Sequence, residues 1–356
     1  MNIFRRLTMI GSLALLLIPL AGCGSGGGAA GPGQTEEPEL HSSAPSEQPA
    51  EPTAAPYSAP LTGLGMDEPA EARPVAVMIN NLKPARPQSG LTEADVVWEV
   101  LAEGGITRLV AIFQSTGHNT EPIGPIRSIR PYLIELGESY GAVLAHAGGS
   151  NDAYAILQGQ DKPYLDEITN AGGSFWRSKE RKAPHNLYSD LEKLRAAADK
   201  KGYDSETAVP SYTFEDEGAT AGGAAADNVS VTFSLQNYVV KYAYDAEGGV
   251  YKRFIGDEPH VDMNNDEQLT ASNLVVLSAS HRTLDNEGRL AIDLEQGGPA
   301  VLMQRGKAVE CEWIRDGGGM IRIVKDGEEL PMVPGRSFFH IVPDNKPLAE
   351  HVTYGS

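Results

Sequence analysis

The sequence predicts an α+β, mixed α/β amino-terminal domain followed by a β-rich carboxy-terminal domain. Three observations carry that reading. Between residues 60 and 214, short apolar runs alternate with segments of helical spacing. From residue 229 to 356 the apolar segments are short, β-like and mostly separated by Gly, Asp and Asn turns. Between the two, residues 215–228 pass from Glu215-Asp216-Glu217 into mainly Gly and Ala, the composition of a linker or a long loop.

Each element has a local reason. Val75-Ala76-Val77-Met78-Ile79 is an apolar run closed by Asn80-Asn81, as a buried strand is. Residues 94–100 and 107–113 make two more strands, with Glu103-Gly104-Gly105 as the turn between them. Pro131 suits the first turn of a helix over 131–139. Residues 141–146 read as another buried strand, ending at His146. Ser150-Asn151-Asp152 caps a helix over 151–157, and Ser189-Asp190 precedes an amphipathic helix over 191–201. The β-like segments of the second half are 229–234, 238–244, 250–254, 274–277, 290–294, 309–314, 320–324 and 337–342. Lys325-Asp326-Gly327-Glu328 has the composition of a tight hairpin turn.

The first 59 residues are of a different kind. Arg5 and Arg6 precede a mostly apolar run over 7–19, which is short for a bilayer span and right for a signal peptide over 1–22. It ends in Leu20-Ala21-Gly22-Cys23, which resembles a bacterial lipobox. Cleavage before Cys23 would leave a cysteine carrying acyl chains, palmitate among them, and two or three chains give stable anchoring. Residues 24–59 are rich in Gly, Pro, Ala and Ser, with five Glu and no Lys or Arg. Such a segment cannot bury enough surface to offset its ordering entropy, so 23–59 reads as a lipidated cysteine on a tether reaching about 30–35 Å.

Charge narrows the partners. The net charge is -19, which excludes a nucleic-acid phosphate backbone and leaves membrane attachment to the lipid anchor. Of the two cysteines, Cys23 is taken by lipidation, so Cys311 is alone and reads as a small buried strand residue.

Against this acidic background the first domain carries eleven Lys or Arg between residues 73 and 182. Arg127 and Arg130 sit in Pro125-Ile126-Arg127-Ser128-Ile129-Arg130-Pro131, Arg108 opens a strand, and Arg181 lies in Arg181-Lys182-Ala183-Pro184-His185-Asn186. Guanidinium forks bind carboxylate or phosphate bidentately, so Arg108, Arg127, Arg130 and Arg181, with His146 and His185 nearby, are candidates for an anion site. In the alternative they pair with the protein's own carboxylates, Asp95, Glu99, Glu103 and Glu135, and fix loops. His146 precedes Ala147-Gly148-Gly149-Ser150, where glycines admit a ligand to the backbone; it is equally readable as a satisfied structural histidine. His260 and Asp262, followed by Asn264, Asn265, Asp266 and Glu267, lack the spacing of a calcium loop and read as a solvated turn. No zinc motif, phosphate loop, dinucleotide fingerprint or Gly-x-Ser-x-Gly elbow is present, so neither a metal nor a cofactor is expected.

Several of these stretches form one pattern. Asn80-Asn81, Ala85-Arg86-Pro87-Gln88-Ser89-Gly90-Leu91, Ala94-Asp95, Glu99, Glu103-Gly104-Gly105 and Thr107-Arg108 resemble the amino-terminal domain of the YerB-like lipoproteins. Gly124-Pro125-Ile126-Arg127-Ser128-Ile129-Arg130, His146-Ala147-Gly148-Gly149-Ser150, Arg181 to Tyr188 and, in the second half, Pro259-His260-Val261-Asp262 extend the resemblance. It implies a bacterial, mainly Gram-positive, lipid-anchored protein on the extracytoplasmic face of the cell membrane, with domains of unknown function. The sequence therefore leads to a binding module for an anionic envelope ligand, such as a wall polymer, or for an envelope protein. A looser likeness to the LytR–CpsA–Psr phosphotransferases carries the alternative, a metal-assisted transferase or hydrolase of phosphate or pyrophosphate esters. There Arg127 and Arg130 would meet the charge of the ester and Asp95 or Glu99 would do the metal or general-base work, Glu103 being a further acidic partner of the arginines.

Overall fold

The computed structural model describes residues 55–117, 119–203 and 208–356. Its frame is a sheet of twelve strands. The amino-terminal part supplies β1 (Val75–Asn80), β2 (Val96–Leu101), β3 (Thr107–Phe113), β4 (Val143–His146) and β5 (Tyr164–Asp166). Three helices accompany them: α1 (Pro131–Glu138), α2 (Asn151–Gly159) and α3 (Leu191–Lys200). The carboxy-terminal part is almost wholly β: β6 (Asn228–Thr232), β7 (Val239–Asp245), β8 (Val250–Ile255), β9 (Asn273–Ala279), β10 (Gly298–Gln304), β11 (Lys307–Arg315), β12 (Ile321–Lys325), β13 (Ser337–Pro343) and β14 (Val352–Gly355). The fold is therefore a mixed α/β amino-terminal part followed by a strongly β-rich region.

The two parts share the large sheet, whose ten longer strands run in the order β12-β11-β10-β9-β13-β2-β3-β1-β4-β5, with the short strands Glu328–Glu329 on β12 and Ala224–Ala225 on β11 completing it. The joint is a parallel pairing of β13 with β2 that sets His340 opposite Glu99. Strands β1, β2, β3, β9 and β13 are buried along their whole length, as strands covered on both faces are. One face of this sheet packs Trp98, Val110 and Ile112 under Leu133, Leu136 and Tyr140 of α1 and its exit. The other face, through Val97, Leu109 and Phe338, meets a second sheet of order β8-β7-β6-β14 through Val231, Val240 and Tyr251. Residues 215–228 are held against the frame: Ala224–Ala225 pairs with β11, and Thr220 Oγ1 donates to the Gln304 carbonyl at 2.9 Å.

Local signals act as their chemistry dictates. Ser150 Oγ accepts from the Ala153 amide at 3.2 Å and Asp190 Oδ1 from the Lys193 amide at 2.7 Å, so α2 and α3 start where their caps stand. Asp326 and Gly327 have φ of 54° and 85°, the primed turn that joins Lys325 to Glu328. Cys311 lies on β11 opposite Ala300, and burial pushes its thiol up to about 12.

The solvated turn expected at 260–267 holds for the exposed Asn265, Asp266 and Glu267 but is corrected at His260 and Asp262, which are buried. Asp262 is fully buried and accepts from the Gly90 amide (3.0 Å), the Thr92 amide (2.9 Å) and the Asn264 amide (3.0 Å). It closes the 90–92 turn of the amino-terminal part, and three amide donors compensate a carboxylate taken from water.

Candidate functional site

Strands β1, β2, β4 and β5 run in one direction, and their carboxyl ends gather at one edge with the start of the opposed β3. Open sheets of this kind bind ligands at that edge. Arg108 is the second residue of β3, opposite Asn80 and Val100. The 126–130 segment is fastened beside it: the Arg127 amide donates to the Met78 carbonyl, and the Ile129 amide to the Gly148 carbonyl. These ties bring three of the sequence-selected arginines into one place.

Arg108 is only 4% exposed. Its one hydrogen-bond partner among the described residues is the Ser128 carbonyl, and its Nε is buried without a partner. The Arg127 Nε is also buried and unpartnered. Burial, then the neighbouring Arg130 charge, push Arg108 down to about 10. Burial and Arg130 also lower Arg127. Arg130 pairs with Glu103, the carboxylate that serves this cluster. Positive charge is in excess at this edge of an acidic protein.

His185 flanks the cluster. Asn80 Nδ2 lies 2.8 Å from its Nδ1, and burial with the charges of Arg127 and Arg181 lowers its pKa. Arg181 stands apart from Arg108: it donates to the backbone carbonyls of Ala85 and Pro87 and so holds that loop. His146 is fully buried, with Nδ1 facing the Gly148 carbonyl at 3.0 Å and Asp166 at 3.5 Å, and its Nε2 has no partner. Its ring stacks on Tyr164 at 5.7 Å.

The acidic candidates are all engaged. Asp95 sits at the opposite end of β2, accepting from the Gln114 amide at 2.5 Å and the Ser115 amide at 2.9 Å. Glu99 lies on the far face of the sheet, paired at 2.5 Å with Arg253. Both side chains are fully buried. Burial opposes the charge of each, but Arg253 holds Glu99 ionised, and Tyr242 and Glu99 hold Arg253 charged.

This pair anchors a network between the two sheets that the sequence reading did not reach. Asn81 Nδ2 donates to Glu99 (3.0 Å) and Tyr238 Oη also donates to it (2.6 Å). Arg253 Nε donates to His260 Nδ1 at 2.9 Å. That fixes the His260 tautomer, so Nε2–H donates to Gln88 Oε1 at 2.6 Å. His340 Nε2 lies 2.9 Å from Tyr242 Oη. Two signals pointed to this network. His340 interrupts the apolar run Phe338-Phe339-His340-Ile341-Val342, and Arg253 falls two residues from Tyr251, on the inward face of an alternating strand.

Comparison with known proteins agrees with this architecture. The amino-terminal domain of "Protein of unknown function (DUF3048)" matches residues 61–204 and its carboxy-terminal domain residues 229–339. The chain belongs to the DUF3048 family. It is 38% identical over 295 residues to the Bacillus subtilis (strain 168) protein named "Putative lipoprotein YerB", across 82% of this chain and 88% of that one. The crystal structure of the YerB protein from Bacillus subtilis superposes with a TM-score of 0.77 at 36% identity, over 84% of this chain and all of that one. The amino-terminal DUF3048 match contains Arg108, Arg127 and Arg130, and the carboxy-terminal match contains Arg253 and His260. Cys23 lies outside the described residues.

Proposed function

We propose that this DUF3048 protein is a lipid-anchored envelope protein that binds an anionic ligand at the carboxyl edge of β1, β2 and β4, gripped by Arg108, Arg127 and Arg130. One observation carries the reading. Two guanidiniums at this edge have buried, unpartnered Nε–H groups and no carboxylate of their own among the described residues, while the third uses the nearby Glu103. An unpaired buried donor costs free energy that a ligand oxyanion would recover. His185 rims the site, and Arg181 supports the neighbouring loop. The ligand class is a phosphate or carboxylate polymer of the envelope.

The geometry favours binding over reaction. An ester-cleaving enzyme needs a carboxylate free to take a proton or hold a metal near the arginines. Asp95 is committed to the 114–115 loop, Glu99 to Arg253 and Glu103 to Arg130.

Polyglycerol phosphate presented to the full chain in detergent tests the site. The Arg127→Ala, Arg130→Ala double variant is expected to lose retention by about tenfold or more, since each charge-assisted hydrogen bond contributes roughly 1.5–3 kcal/mol. Unchanged retention would overturn the reading.

The anchor is tested separately. The lipobox and the name of the Bacillus subtilis relative both support acylation of Cys23. An acidic chain has no electrostatic hold on anionic lipid, so Cys23→Ala is expected to move the protein from the membrane fraction into the soluble one. Persistence in the membrane fraction refutes acyl anchoring.

A further inference from the structure

Two of the motif segments singled out in the sequence, 85–91 and 259–262, are 168 or more residues apart and meet in the fold. Gln88 contacts His260, and Asp262 holds Gly90 and Thr92. Between them opens a cleft of about 560 Å³, lined by Lys83, Arg86 and Pro87 from one part and Tyr238, Ile255 and Pro259 from the other. It lies away from the Arg108 cluster, on the side of the sheet that carries the Glu99–Arg253 pair.

The guanidinium of Arg86 has no hydrogen bond or ion pair with any described residue, and its Nε is buried without a partner. What it does have is the face of Tyr238, 5.3 Å from ring centre to Cζ. The Tyr238 hydroxyl is committed to Glu99 behind it, so the ring is held fixed as a wall. Arg181 donates to the carbonyls of Ala85 and Pro87, on either side of Arg86, and sets the loop that carries it. Lys83 adds a second exposed cation at the rim, with no ion pair among the described residues. The lining between these cations is mixed: Pro87, Ile255, Pro259 and the Tyr238 ring are apolar, while Asn237 and the exposed Glu258 are polar, so the apolar contact is confined to the Tyr238 side.

We infer that this cleft is a second ligand site, separate from the Arg108 cluster, which takes a phosphate monoester carried on a flat apolar body. Arg86 supplies the bidentate fork, Lys83 a point charge, and Tyr238 with the two prolines the contact for the body. The electrostatics agree. Burial lowers Arg86, with Tyr238 and Glu99 opposing it, and burial followed by the charges of Arg253 and Arg86 lowers His260 well below its ordinary value. A ligand here touches both parts of the chain at once.

Phenyl phosphate is the probe, titrated calorimetrically into the full chain in detergent, with inorganic phosphate and phenol as the two halves of the ligand. The wild type is expected to bind phenyl phosphate more tightly than either half. Arg86→Gln is expected to weaken it by about tenfold, the loss of a charge-assisted pair, and the exposed Lys83→Gln by a smaller factor with unchanged thermal stability. The Arg127→Ala, Arg130→Ala variant is expected to bind as the wild type does. Binding that survives Arg86→Gln but disappears in the Arg127, Arg130 variant assigns the phosphate to the other site and overturns the inference. So does no heat with wild type, or inorganic phosphate binding as well as the ester.

Discussion

Replacing Arg253 with Met is expected to destabilise the protein by about 3–5 kcal/mol, the cost of leaving a buried carboxylate without its counter-charge. Glu99 is fully buried, and its hydrogen bonds from Asn81, Thr107 and Tyr238 were assembled around an ion. Without Arg253 it must either stay charged in a low-dielectric site or take up a proton. The converse change, Glu99→Gln, strands the Arg253 guanidinium with Tyr242 and His260 and is expected to cost a similar amount. The Glu99→Gln, Arg253→Met pair should recover part of the loss, because no buried charge remains. A coupling of roughly 0.5–3 kcal/mol is the range for residues in direct contact. Urea midpoints of the four proteins measure it. Single variants within 1 kcal/mol of the wild type would show that the pair is not what holds the second sheet to the first.

That pair also marks where sequence reading stops. Strands and helices with their own periodicity and caps were legible: the Asn80-Asn81 end of β1, the Pro131 start of α1, the Asp326-Gly327 turn. So was the excess of arginine around Arg108, Arg127 and Arg130, because loop composition displays it. Strand β10 was not, since Gly297-Gly298-Pro299 punctuates its start and hides the apolar run Ala300-Val301-Leu302-Met303 behind a turn signal. The β13–β2 pairing joins residues over 240 apart, and nothing local encodes it. For the same reason Glu99 read as a partner for nearby arginines, while its actual partner is Arg253, 154 residues on. His260 and Asp262 read as solvated because polar residues in a turn usually are; here another part of the chain covers them.

Stability is expected to fall steeply as pH drops from about 6.5 to 4, and His340 sets that window. Its Nδ1–H donates to the Val275 carbonyl at 3.1 Å, so Nε2 is the acceptor, facing Tyr242 Oη at 2.9 Å and Arg253 Nη1 at 3.3 Å. A proton on Nε2 would set an imidazolium against that guanidinium inside a sealed core, with Glu99 at 3.9 Å as the opposing attraction. Burial is the larger effect, and His340 is pushed down to about 4 from an ordinary 6.5. The sign follows from the two states. Above 6.5 neither state holds the proton. Between 6.5 and 4 the unfolded chain binds it and the folded one does not, so each step down in pH favours unfolding. Below 4 both hold it and the loss stops growing, at about 3 kcal/mol for this residue. His260, also held neutral and well below its ordinary value, adds in the same direction from the same upper limit. Glu99, lowered by Arg253, contributes only below its unfolded value of 4.5, at the acid end of the window. Urea midpoints taken from about pH 7.5 to 4.5 should therefore decline through pH 6. His340→Gln, which can still accept from Tyr242, should flatten the decline by one proton's worth of slope while lowering the midpoint at neutral pH. A wild-type midpoint constant between pH 6.5 and 5 would mean that these histidines are not held neutral by the core.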